Sequence, residues 1–422
     1  MTNQERLQEN NNLIKEIRQL LEDKMLVAAG GTKIVDIELP EKFATAASIY
    51  TYKVNRNTVL FASTAAFSGI WRYSTKDNNL KQLWAGGQSW QSFYTITDNL
   101  VIVATSSGPN PLLVYDIAAD EITETGLYYN ASSMNIKKID DNRFFISTTS
   151  SISKGLAIFD VRTKKARQIR STSYGYTYFA QMGDYWFIAS NSGADGLLKF
   201  NALTEEITMV HSNGRWVYLN VVDDKCYFSS NTSSQLGLYV YDNSTDTVAT
   251  LDETGYYWAY VFKVGDKVFA SNLQSSKTGL YEIVNNTLNN IYDDGGYGYR
   301  YAPVINDRAI ITGSQRYALI YNLTDGSISK TANSNFCMLG NAIVLGNKML
   351  LTPVGTTVSS PVVYNYETNE MKVLSRTGMS DYDIFNPDGD NCYVLSKTSN
   401  RPIMYYTNSN DSIKIVGYRM EV

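Results

Sequence analysis

Short apolar and aromatic runs alternate with clusters of Asn, Asp, Ser and Gly along almost the whole chain, and the spacing of those runs repeats. One period reads Arg215-Trp-Val-Tyr-Leu-Asn-Val-Val222, Cys226-Tyr-Phe-Ser-Ser230, Gly237-Leu-Tyr-Val-Tyr-Asp242 and Thr247-Val-Ala-Thr-Leu251. Runs of this length, rich in β-branched and aromatic residues and bounded by turn formers, predict four antiparallel strands joined by tight turns. The second run recurs nine times, beginning at Val59, Val101, Phe144, Trp186, Cys226, Lys267, Arg308, Lys348 and Cys392, so successive starts differ by 40 to 44 residues. The third run keeps the same period, from Gly69-Ile-Trp-Arg-Tyr73 and Pro111-Leu-Leu-Val-Tyr115 to Pro361-Val-Val-Tyr364 and Pro402-Ile-Met-Tyr-Tyr406.

Four strands in a period near 42 residues predict an all-β fold, a β-propeller of about nine blades (eight possible), over 47–422. Runs such as Leu112-Leu-Val-Tyr115 are apolar at consecutive positions, so both faces of the strand need cover. Stacking each sheet between two neighbours supplies it, and closing the ring leaves no terminal face in water. The last copy, ending at 412–418, is therefore expected beside the first, which begins near Ile49.

An aromatic followed by an acid or amide ends the third run, as in Tyr115-Asp116, Phe159-Asp160, Phe200-Asn201, Tyr241-Asp242, Tyr321-Asn322 and Tyr366-Glu-Thr-Asn369. An Asp or Asn side chain there can accept from the backbone two residues on and set a hairpin. This pattern resembles the Tyr-Asp-x-x-Thr hairpin of the kelch, TolB-like and quinoprotein-like propellers. The likeness spans 47–422 at the level of the fold, without the paired glycines of kelch or the Trp-Asp endings of the WD family.

The N-terminus breaks the pattern. Leu7, Ile14 and Leu21 fall seven apart with Ile17 between them, and no Pro or Gly interrupts 2–26, which predicts a short amphipathic α-helix. Two roles stand open for its apolar stripe: packing on its own body, or self-association and docking to a partner. Only about three heptads are present, so an isolated coil would be marginal. Ala28-Ala-Gly-Gly31 ends the helix as a flexible joint, and 33–39 alternates as a strand that Pro40 stops. The expected organisation is an attachment helix and joint over 1–31, a linker strand in 32–46, and the propeller over 47–422.

A net charge of -4 with 18% charged residues and no basic patch argues against a nucleic-acid partner. The 32 tyrosines suit strands, and equally suit contact surfaces with a polar tip. Cys226, Cys337 and Cys392 leave one over under any pairing and are expected as small buried strand residues. Met1 is followed by polar sequence with no apolar signal region, and no apolar run is long enough to span a bilayer. The expectation is a soluble chain made in a cytoplasm.

His211 is the sole histidine, and no Gly-x-Ser-x-Gly, Walker or dinucleotide motif occurs. Carboxylates cluster at Asp381, Asp383, Asp388 and Asp390 and at Asp293-Asp294, but these are turn positions, and turn chemistry accounts for them. No catalytic residue, cofactor or metal site is expected. The specific offer is at the crossovers from one copy to the next: Gly87-Gln-Ser-Trp90, Gly126-Leu-Tyr-Tyr129, Tyr174-Gly-Tyr176, Gly214-Arg-Trp216, Gly255-Tyr-Tyr-Trp258 and Gly296-Tyr-Gly-Tyr299. Trp90, Tyr129, Tyr176, Trp216, Tyr257, Trp258, Tyr297 and Tyr299 form either an aromatic ring at one end of the propeller, suited to sugars or peptide side chains, or blade-on-blade packing. Trp216 is expected to pack, and Tyr257 and Tyr299 to keep their hydroxyls wet.

The helical head, joint and long repeat body resemble bacteriophage virion proteins of the fibre or appendage kind, and Leu7-Gln-Glu-Asn-Asn-Asn-Leu-Ile-Lys-Glu-Ile17 is similar to the Asn-rich helical starts of tail and prophage proteins. The resemblance implies a non-enzymatic virion protein, anchored to itself or to other virion proteins through Leu7, Ile14, Ile17 and Leu21, with a propeller that binds a host glycan or protein. The rival classes are a cytoplasmic bacterial scaffold for protein partners and a propeller glycan hydrolase or lyase.

Overall fold

The computed structural model describes residues 49–418 apart from 56, 64–68, 75, 78, 87–89, 106–110, 129–133, 149–154, 173–174, 191–195, 213, 231–236, 255–256, 273–277, 297, 300–301, 314–316, 332–338, 354–360, 375–381, 386–390 and 397–401. The expected helix with Leu7, Ile14, Ile17 and Leu21 and the strand at 33–39 lie outside the described residues.

Thirty-six strands form nine four-stranded antiparallel sheets, each a meander in chain order, and no helix occurs among the described residues. The sheets, numbered 1 to 9, span 49–84, 90–128, 134–170, 176–211, 218–252, 260–292, 304–330, 339–373 and 382–418. This is a β-propeller-like repeat fold. The second strands begin within two residues of the expected starts, for example Arg143–Thr148, Tyr185–Ser190 and Lys225–Ser229.

Burial explains the sequence pattern. In sheet 2 the third strand, Pro111–Asp116, buries Leu112 through Tyr115 to 1% exposure or less, whereas the fourth, Glu121–Tyr128, alternates between covered and open positions. Middle strands are sandwiched on both faces, so they read as continuous apolar runs. The apolar clusters are layers between successive sheets: Leu60, Ile70, Val103 and Leu113 between sheets 1 and 2; Ile102, Val114, Ile146 and Phe159 between 2 and 3; Phe145, Ile158, Trp186 and Leu198 between 3 and 4.

By its contacts the chain divides into two compact units, one with Asp36–Val261 and Asn285–Leu288, the other with Phe262–Val284 and Asn289–Val422. The first unit also carries a layer of Phe187, Trp216, Cys226 and Tyr241 between sheets 4 and 5. In the second, Ile310, Ile320, Met349 and Tyr364 join sheets 7 and 8, and Leu350, Val363, Cys392 and Met404 join sheets 8 and 9. Cys226 and Cys392 are unbridged and fully buried, as expected of small strand residues, and Cys337 lies outside the described residues.

Two local devices recur among the sheets. A glycine opens several third strands because the fourth strand ends against it. A Cβ on Gly155 (φ +103°) would sit 1.8 Å from the Arg170 carbonyl oxygen, and one on Gly69 (φ +112°) 2.1 Å from that of Trp84. The hairpin after the third strand is set by an Asx turn: Asp116 Oδ1 accepts from the amides of Ala118 and Ala119, and Asp160 Oδ1 from those of Arg162 and Thr163. In sheet 8 the aromatic–amide pair is Tyr364-Asn365, not Tyr366-Glu367. Asn365 Oδ1 accepts from the Glu367 amide, and Tyr364 is the ring in the core.

In six of these hairpins a residue of positive φ latches the preceding sheet. Asp120, Lys164, Glu205, Asp246, Asn369 and Asp411 all have φ between 49° and 61°. Tyr115, Tyr241, Tyr364 and Tyr406 donate their hydroxyls to the latch residue five positions on. A cation from the sheet before completes the clasp: Arg72 on Asp120, Arg143 on Glu205, Lys199 on Asp246, Arg308 on Asn369, and Lys348 on Asp411. At Lys164 the signs are reversed, with Asp116 of sheet 2 as its partner.

Candidate ligand-binding surface

Two of the crossovers are fixed by a serine at the end of a second strand. Ser147, buried at the end of its strand in sheet 3, accepts from the Tyr176 amide through Oγ at 2.7 Å and so holds the start of sheet 4. Ser229 repeats the device two sheets on, donating to the Trp258 carbonyl at 2.7 Å. In the first of these pairs the hydroxyl satisfies a main-chain group that has left the ladder, which a buried backbone polar group requires.

This tethering turns the crossover aromatics inward. Tyr176, Trp258 and Tyr299 are 0% exposed and Trp216 is 2% exposed. Trp216 lies so close over Gly214 that a Cβ there would meet its ring at 2.3 Å, and His211, Phe228 and Tyr239 close around it with centroids 5.0–5.2 Å away. Tyr299, expected to have a wet hydroxyl, is a core ring, and its hydroxyl donates to Asp294 at 3.3 Å. Asp294 also accepts from Tyr292, Tyr317 and the Gly296 amide, so the paired acids at 293–294 are a turn anchor. Burial alone would raise the Asp294 carboxyl, but these donors hold it below its usual range. The Trp90 side chain, Tyr129, Tyr297, and Asp381, Asp388 and Asp390 lie outside the described residues. Among the described residues no group of three or more His, Cys, Asp and Glu side chains is arranged to hold a metal.

The open rings are the next ones along. Tyr178, Tyr218 and Tyr260 each follow a buried crossover aromatic by two residues, on the first strands Tyr176–Met182, Tyr218–Val222 and Tyr260–Val264, and all three are partly exposed. Tyr257 joins them from the crossover itself. It is partly exposed, has φ +65°, and is held by its amide on the Ser230 carbonyl at 2.9 Å. A bulky side chain in the left-handed region is a conformation that surrounding structure must enforce. Its ring centroid is 6.2 Å from that of Tyr218 at 47°. Burial pushes the Tyr218 hydroxyl up to about 12, and Tyr257, Tyr260 and Tyr178 add to the effect, so the phenol stays a donor throughout the neutral range. Asn220, two residues beyond Tyr218, braces the group by donating to the Ala259 carbonyl at 3.2 Å. Tyr178, Tyr218, Tyr257 and Tyr260 therefore offer flat apolar faces with hydroxyl rims, a combination suited to the C–H face and hydroxyls of a sugar.

No family model matches the chain, and no curated protein matches it. Solved structures similar to it include the dihydro-heme d1 dehydrogenase NirN in complex with DHE, at 13% identity and TM-score 0.42, covering 79% of this chain and 76% of that one. Apo AztD from Citrobacter koseri gives 12% identity and TM-score 0.40 over 76% of this chain and 93% of its own. The computationally designed Ika8 protein gives 10% identity and TM-score 0.40, covering 72% and 92%.

Proposed function

We infer that the nine sheets are β-propeller blades, and that the protein is a non-catalytic binding component of a bacteriophage virion. It is attached through the N-terminal helix and presents the first-strand tyrosine group to a carbohydrate on the host surface. The observation that carries the binding role is the set of partly exposed phenols Tyr178, Tyr218 and Tyr260 on successive first strands, with the Tyr257 ring 6.2 Å from that of Tyr218. The virion setting rests on the resemblance of the N-terminal sequence, Leu7 to Ile17, to the starts of tail and prophage proteins.

Purified protein screened on a glycan array, with and without host cell-wall fragments as competitor, tests the binding role. Tyr218→Ala and Tyr260→Ala are expected to abolish the signal and leave the denaturation midpoint nearly unchanged. A signal that survives both substitutions refutes the tyrosine face. Mass spectrometry of purified particles tests the setting: the chain is expected in the virion, and its absence there, with protein partners recovered from the bacterial cytoplasm, favours the scaffold class instead. Turnover of a bound glycan would return the protein to the hydrolase or lyase class.

A further inference from the structure

A second site lies at the other end of the first strands, between sheets 3 and 4. A cavity of about 430 Å³ is lined by Lys137, Lys138, Ile139, Phe179, Gln181 and Trp186. That volume falls within the ordinary range of small-ligand pockets. Its apolar side is held rigid: Phe145 stacks on Phe179 at 5.4 Å and meets Trp186 edge-on at 5.7 Å. Strand pairing places the polar groups beside them. Lys137 is directly opposite Phe145, and Gln181 directly opposite Trp186, so each shares a face with its aromatic partner.

Two features, the indole at 186 and a Lys137 charge unpaired among the described residues, separate this cavity from ordinary packing. The position of Trp186 is held by Val59, Val101, Phe144, Cys226, Ala309, Met349 and Cys392 in other sheets, so an indole here is specific to this junction. Trp186 is 2% exposed, so it serves the cavity as a fixed apolar wall. Lys138 is paired with Asp141 at 2.7 Å, whereas among the described residues no ion pair involves Lys137, whose Nζ stands 5.8 Å from the Trp186 ring centroid. The exposed Gln181 amide donates through Nε2 to the Gly183 carbonyl at 3.2 Å, and its Oε1 stays open among the described residues. The Lys137 cation over the Trp186 ring, this amide and the apolar wall suit one kind of occupant. It has an anionic group, hydroxyl groups a few ångströms away, and an apolar face.

We propose that this cavity binds a carboxylated sugar unit, a hexuronate. Lys137 pairs with the carboxylate, Gln181 bonds a ring hydroxyl, and the sugar's C–H face lies toward Phe179 and Ile139. The site is separate from the tyrosine group and does not depend on it.

Isothermal titration of the full chain with trigalacturonate tests the assignment, with a neutral galactose trisaccharide and benzoate as the other arms. Trigalacturonate is expected to bind, to change tryptophan fluorescence, and to weaken with added salt. Lys137→Gln, an exposed substitution, is expected to weaken it at least about tenfold, while Tyr218→Ala leaves it unchanged. Equal binding of the neutral trisaccharide removes the role of Lys137. Equal binding of benzoate shows a carboxylate site without sugar selectivity. Either result, or no binding of trigalacturonate, overturns the proposal, and none of them bears on the tyrosine face.

Discussion

Asp120→Asn is the sharpest test of the latch that joins successive sheets. Asp120 Oδ1 accepts from Arg72 Nε and the Tyr115 hydroxyl, each at 3.0 Å, and Oδ2 accepts from Arg72 Nη2 at 2.5 Å and Lys81 Nζ at 2.9 Å. Burial alone would raise its carboxyl, but Arg72, Lys81 and Tyr115 outweigh that and hold it at about 2, below the ordinary 3.8. That depression corresponds to roughly 2–2.5 kcal/mol of stabilisation. Solvent still reaches the side chain, which keeps 31% exposure, so screening reduces the effect to about 1–1.5 kcal/mol. Asn keeps the size and tolerates the φ of 53°, so the substitution removes charge with little backbone cost. Because the folded value is depressed, the contribution is complete above the unfolded value near 4 and is lost as pH falls through about 2. Chemical denaturation of wild type and variant from pH 7 down to 2 should therefore show a gap that is constant to about pH 5 and closes below it. Pairing the change with Arg72→Gln in a double-mutant cycle isolates the coupling. A gap below about 0.3 kcal/mol at pH 7, or one that persists unchanged at pH 2, refutes the latch as an electrostatic device.

Ser147→Ala leaves the buried Tyr176 amide without its 2.7 Å acceptor and should lower stability by about 1–3 kcal/mol by denaturant titration, whereas Ser147→Thr should recover much of the loss. Gly155→Ala cannot place its Cβ 1.8 Å from the Arg170 oxygen, so a loss of at least about 2 kcal/mol is expected, and a neutral thermal midpoint would show that the fourth strand is free to move away. Trp216→Ala, at 2% exposure, should cost about 3–5 kcal/mol, while Tyr218→Ala two residues on should cost under about 1 kcal/mol. Similar losses at both positions would mean that the tyrosine face is core.

The strands were legible because burial on both faces writes itself into consecutive residues. Leu112 to Tyr115 has no polar position because neighbouring sheets cover both sides, and the same cause repeats the run in every sheet. The Asx turns were legible for a local reason, since Asp116 bonds amides two and three residues away. The latches were not. Asp120 meets Arg72 across 48 residues and Lys348 meets Asp411 across 63, so no local spacing announces either pair. Sheet 8 shows how a local motif misleads: Tyr364-Asn-Tyr366-Glu367 holds two aromatic–polar pairs. Only the core separates them, by taking Tyr364 and leaving Tyr366 outside to bond Asp307 at 2.7 Å and cover Arg308.

The candidate site turned on a step of two residues. Tyr176-Thr-Tyr178, Trp216-Val-Tyr218 and Trp258-Ala-Tyr260 are three copies of an aromatic pair, and the glycines beside the first member drew attention to it. Gly214 marks close approach, as the 2.3 Å gap between its Cβ position and the Trp216 ring makes plain, and close approach buries the ring. The second member begins or lies within the first strand, where it is only partly covered. Composition cannot separate the two, because a buried phenol with a bonded hydroxyl and an open one are the same residue. Tyr299 on Asp294 is the first kind, Tyr218 beside Tyr257 the second. What distinguishes them is where the chain leaves its crossover and enters the ladder. That point is set by the Ser147 and Ser229 tethers, each reaching across 29 residues, so the accessible member of each pair is decided by a contact the local sequence does not contain.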